Sequence, residues 1–182
     1  MASPTSFGLV GLVGLVVGCQ EPGGEALELE VGRLVSPSAW TKSEAHGDPL
    51  ATHRPEQVQC PRVGWPVEGE SLEVNTGVCN YLSVEQPLRL DVAAGMPIAV
   101  DLWHQALHAE GPATGHAALF VGGELLWERE VEIPGPPAIW SDTVEAPADL
   151  RAGDRVVFHL HNHGVNTWNL GEVASEPPQG GW

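Results

Sequence analysis

Beyond Gly69 the chain moves in short runs of alternating apolar and polar positions, and no window holds an apolar period of 3.6 residues, so strands rather than helices are predicted. The runs fall at residues 72–74, 81–84, 88–92, 98–107, 116–121, 124–133, 139–145, 155–163 and 167–173. Upstream, residues 27–35 alternate in part, with Leu27, Leu29 and Val31 against Glu28, Glu30 and Gly32, as a half-buried strand does. Turn residues separate most of the runs. Gly122-Gly123 is the strongest hairpin signal, because two glycines permit the positive φ that tight hairpin turns need. Ala94-Gly95 and Arg151-Ala152-Gly153-Asp154 mark two further turns, and Pro134-Gly135-Pro136-Pro137 must interrupt pairing, since proline donates no ladder hydrogen bond.

Many short strands with regular turns predict an all-β protein, a single antiparallel β-sandwich at residues 67–174. Ahead of it, Pro37, Pro49, Pro55, Pro61 and Pro66 forbid a persistent helix or central strand. Residues 27–66 are therefore expected to form one strand and a long irregular excursion packed on the domain, and residues 175–182 a disordered tail. Four features of the stretch from Pro87 to Val173 resemble the jelly-roll sandwiches that bacteria append to secreted proteins, including the prepeptidase C-terminal type. They are a strand before Ala94-Gly95, a central hairpin, Leu150-Arg151-Ala152-Gly153-Asp154 before a long strand, and the closing Trp168-Asn169-Leu170. That family's acidic, cation-holding loop is missing, so calcium does not carry over. Cys79-Asn80-Tyr81-Leu82, Leu102-Trp103-His104 and His161-Asn162-His163-Gly164 are similar to a group of uncharacterised bacterial lipoproteins, which implies no particular activity.

The uncharged apolar run at residues 7–17 is too short to cross a bilayer, which takes about 20 helical residues, and has the size of a signal-peptide centre. It ends in Val16-Val17-Gly18-Cys19, which resembles a bacterial lipobox, although position 16 is Val where Leu is commonest and residues 1–6 hold no Lys or Arg. The resemblance implies that residues 1–18 are removed, that Cys19 carries the lipid, and that residues 19–26 tether the domain. With Gln20 rather than Asp after the cysteine, it also implies sorting to the outer membrane.

Charge changes the picture of partners. Eight Lys and Arg stand against 24 Asp and Glu, a formal charge of −16 that repels phosphate backbones and anionic surfaces. Nucleic acid is set aside, while the membrane is met through the lipid and an envelope protein or glycan remains a candidate partner. Assigning Cys19 to lipid leaves Cys60 and Cys79 as a pair in an oxidising compartment, where they are expected to form a disulfide contributing ~3 kcal/mol.

Two residue types carry candidate chemistry. On an extended strand His159, His161 and His163 share one face, and a His-x-His pair can direct two imidazoles at one zinc or copper ion. The outer two stand roughly 13 Å apart at ~3.3 Å per residue, so further ligands must come from elsewhere. His104, His108, His116 and several carboxylates are available, and His104 completes the candidate set. The plainer reading is a polar sheet face with no ligand. Among 7 tryptophans, Trp103 and Trp127 alternate with Leu102 and Leu126; if the leucines point inward, the two rings face out and could stack on sugars. No Gly-x-Ser-x-Gly elbow, His-Glu-x-x-His helix or phosphate loop is present in the sequence. The combined expectation is a non-enzymatic, lipid-anchored binding or envelope protein, with metal binding and carbohydrate binding as the two alternatives.

Overall fold

The computed structural model of the chain describes residues 31–177. The expected signal segment, Cys19, the expected tether and residues 178–182 lie outside the described residues. Eleven strands follow in order: β1 (Gly32–Arg33), β2 (Thr41–Lys42), β3 (Val67–Glu68), β4 (Ser71–Asn75), β5 (Tyr81–Pro87), β6 (Pro97–His104), β7 (Ala113–Val121), β8 (Glu124–Ile133), β9 (Ala138–Glu145), β10 (Arg155–Asn162) and β11 (Thr167–Ser175). They form two antiparallel sheets packed as a sandwich. One runs β3-β4-β11-β6-β9 with β1 also on β11, the other β2-β5-β10-β7-β8. Strands β4 to β11 thus interleave as β4-β11-β6-β9 against β5-β10-β7-β8, which is jelly-roll topology.

Alternation places the core. On β6, Ile98, Val100, Leu102 and His104 turn inward; facing them on β10 are Val156, Phe158 and Leu160. Trp168 of β11 is fully buried and reaches across to β7 at Gly115, where a Cβ would stand 2.9 Å from its ring. The β7–β8 hairpin turns on Gly122 and Gly123 at φ 60° and 94°, as the paired glycines predict.

Two expectations are corrected. Residues 88–92 are not a strand: Pro87 ends β5, and the chain then crosses between sheets. Its backbone hydrogen bonds are shared among Leu34, Leu150 and Asp154 instead of running along one neighbour. Trp127 does not face out but lies in the core at 5% exposure. A bulge shifts the register from Leu119↔Trp127 to Phe120↔Leu125, so Leu126 and Trp127 are both buried and simple alternation fails there. The Trp127 indole N–H donates to Asp142 Oδ2 at 2.8 Å, and Arg129 donates to both oxygens of the same carboxylate. That cluster ties edge strand β8 to edge strand β9 of the other sheet.

The excursion is irregular, as its prolines require, with short 3-10 turns at Ala45–Gly47, Ala51–His53 and Arg62–Gly64. Residues 43–59 cross the outer face of the β5-β10-β7 sheet. The Ser43 N–H donates to the Ser83 carbonyl at 3.0 Å, and Leu50 packs on Ala118, Phe120 and Val157. Near the far end, Asn80 exchanges hydrogen bonds with Gln57 and Gln59, and the Cys60–Cys79 disulfide closes the segment beside β5. This covering segment makes an outward sheet face into an interior.

Candidate metal centre

Under that cover lie three imidazoles from three separate pieces of chain. His159 stands on the outer face of β10, between Ser83 of β5 and Ala118 of β7, at 0% exposure. His116 lies diagonally across on β7 and is also buried. His53 comes down from the covering segment at the end of its second 3-10 turn. The ring centroids form a nearly equilateral triangle: 5.2 Å for His53–His116, 5.7 Å for His53–His159 and 5.6 Å for His116–His159. One nitrogen of each lies within 4.8 Å of the other two. Three nitrogens at ~2.0–2.1 Å from one zinc ion would stand roughly 3.4 Å apart in tetrahedral geometry.

The neighbours of each ring select which nitrogen is free. His116 Nε2 sits 3.2 Å from Glu128 Oε2, while its Nδ1 is buried and has no partner among the described residues. A metal ligand whose other nitrogen meets a carboxylate has its tautomer and orientation held in this way. Among the described residues His159 has no hydrogen-bond partner at either nitrogen; Asp48 Oδ1 stands 4.0 Å from its Nδ1, beyond hydrogen-bond range. Asp48 is itself buried and held, accepting from the Tyr81 hydroxyl and, at 3.0 Å, from the Leu50 N–H. The carboxylate thus faces one edge of His159 and leaves Nε2 for the cluster.

Electrostatics hold His159 and His161 in the neutral form, the form in which imidazole binds metal. Burial, with the nearby His116, His53 and His161, pushes His159 down to about 3. Burial followed by His163, His53 and His116 pushes His161 down to about 4. Tyr81 moves the other way: burial, then its bond to Asp48, raises it, so it stays a proton donor. An all-imidazole donor set suits zinc or copper, and three protein ligands leave a fourth position for water or another donor.

The sequence-predicted residues are divided by the fold. His159 is in the cluster. His161 and His163 follow it along the same edge, with rings 6.4 Å from His159 to His161 and 4.4 Å from His161 to His163, but they stand outside the group of converging nitrogens. His104 belongs to the other sheet and points into the core, packed on Trp168 and Trp140, with Nδ1 2.7 Å from the Gln105 carbonyl. The whole thickness of the sandwich, ~10 Å between sheets, separates it from the outer face of β10. Its place is taken by His116, which was one of the available donors, and by His53, which sequence reasoning missed. Trp103 is half-buried on the outer face of β6, where its ring covers Gly171 beside Asp101 and Arg33.

No family model and no curated protein matches the chain. Solved structures to which it is similar include the Agl-KA catalytic domain, with TM-score 0.44 and 11% identity over 82% of this chain and 28% of that one. Another is the arabinose-bound MgGH51 α-L-arabinofuranosidase, with TM-score 0.35 and 9% identity over 82% and 27%. A third is dimeric latent PorU from Porphyromonas gingivalis, with TM-score 0.35 and 11% identity over 86% and 14%. The chain spans less than a third of the length of each.

Proposed function

We propose that this chain is an exported, lipid-anchored protein whose sandwich binds a transition-metal ion, zinc or copper, through His53, His116 and His159. The observation that carries the reading is the convergence of one half-buried imidazole, His53, with two buried ones, His116 and His159, which have nitrogens without a hydrogen-bond partner among the described residues. Leaving a buried donor or acceptor unpaired costs about 1–3 kcal/mol, and His159 Nδ1 and Nε2 and His116 Nδ1 are all in that position. An ion would supply the missing partner at one nitrogen of His159 and at His116 Nδ1. The role is binding rather than catalysis, because His159 is fully enclosed and His116 nearly so, leaving little access for a substrate larger than water. The lipobox-like Val16-Val17-Gly18-Cys19 supports the anchor, and the Cys60–Cys79 disulfide agrees with an oxidising compartment outside the cytosol.

Isothermal titration of chelator-stripped protein with zinc or copper tests the site. One ion per chain is expected, with His53→Ala, His116→Ala and His159→Ala each weakening binding at least tenfold. His104→Ala and the exposed His46→Ala should leave it unchanged. Equal losses at His46 and His159 would refute the assignment.

A further inference from the structure

On the metal reading above, we propose that His161 and His163 form a stepwise path along which the ion enters and leaves the buried centre. The cover encloses His159 fully and His116 nearly so, while His53, on the cover itself, is half-buried. Residues 43–59 are held over the centre by the Tyr81–Asp48 hydrogen bond and by Leu50 packed on Ala118, Phe120 and Val157. The cover is also pinned at both ends, by β2 paired to β5 on one side and by the disulfide on the other. Lifting it would break all of these contacts together.

Sideways the situation differs. His159 and His161 project from the same face of β10, because side chains alternate, and His163 continues the row past the strand end. Burial falls along it: His159 is enclosed, His161 is half-buried and His163 is exposed. The His161 ring lies 6.1 Å from His53 and 4.4 Å from His163, so imidazole follows imidazole from the surface to the cluster without a gap. The end of the row is fixed in place, since the His163 N–H donates to the Thr114 carbonyl at 3.1 Å and the Asn162 side chain donates to the Gly164 carbonyl at 2.6 Å.

The outer end is also where a cation would gather. His163 is shared by two shallow clefts, one containing Glu132 and Thr114 and the other Glu110 and His108. Carboxylates at a mouth on a chain of formal charge −16 raise the local cation concentration and the encounter rate. An ion held ~2.0–2.1 Å from one ring nitrogen can gain the next imidazole before losing the last, so it is never stripped bare in transit. No bond other than metal to nitrogen is made or broken, and no oxidation state changes.

Stopped-flow loading of the full, metal-free chain with zinc alone, followed by release into excess chelator, tests the path. His161→Ala and His163→Ala should slow loading and release together, each about tenfold or more, with equilibrium affinity changed less than threefold. His161→Gln keeps a polar side chain in the half-buried position and should slow both steps as well, even if the alanine variant folds poorly. Wild-type rates in these variants would overturn the path while leaving the centre intact. An affinity loss at His161 as large as at His159 would also overturn it, by making His161 a ligand. A wild-type chain that takes up no zinc or copper would overturn the centre itself.

Discussion

An imidazole with no exposure and no hydrogen bond, such as His159, is a destabilising residue unless something else engages it. Its folded pKa of about 3, that of His161 at about 4, and the lowering of His104 by burial against a weaker opposing bond from Gln105 all lie below the ordinary 6.5. The sign follows directly. On acidification the unfolded chain takes up these protons first, so the stability associated with the neutral rings is complete above about pH 6.5 and is lost as pH falls toward 4 and 3. Urea unfolding of chelator-treated protein should show a lower midpoint near pH 4.5 than near pH 7.5, and His159→Leu should reduce that difference. A variant with the same pH dependence as wild type would contradict the burial assigned to this ring. Alternation along residues 155–163 made His159 legible in the sequence. His53 was not legible, because nothing local in a proline-rich stretch says which strand it will cover.

The covering segment is the element that turns a sheet face into a site, and its placement was only half readable. Its prolines announced an irregular path and its cysteine a tie to Cys79. Because Cys79 leads directly into β5, whose neighbour is β10, that tie was the one signal that residues just before Cys60 would lie near the histidine row. The strands themselves followed from periodicity except where a tertiary feature intervened. The bulge at Leu126 buried Trp127, and the crossing at residues 88–92 spread its hydrogen bonds over several partners. Removing the tie tests the element. Replacing Cys60 and Cys79 with serine should lower stability by about 3 kcal/mol and also weaken zinc binding severalfold, since His53 and Asp48 ride on the released segment. Stability that falls while affinity holds would show that the cover is positioned without the disulfide.

At the scale of the whole molecule, the jelly roll supplies two outer faces and uses them differently. The β4-β11-β6-β9 face carries half-buried Trp103 and its charged neighbours, whereas the β5-β10-β7 face is roofed and holds the imidazoles. Strong net negative charge favours cations over anions at every approach to the second face. Strand order and the roofing of one face depend on long-range pairing, so they emerge only when the chain is folded, while fold class and disulfide are already present in its local patterns. The most direct measurement is X-ray absorption at the metal edge of protein loaded with one equivalent of zinc. Our account predicts three imidazole nitrogens at ~2.0–2.1 Å, with one lost in His53→Ala and no change in His104→Ala. A shell of oxygen donors without imidazole scattering, or a spectrum indifferent to His53, would contradict it.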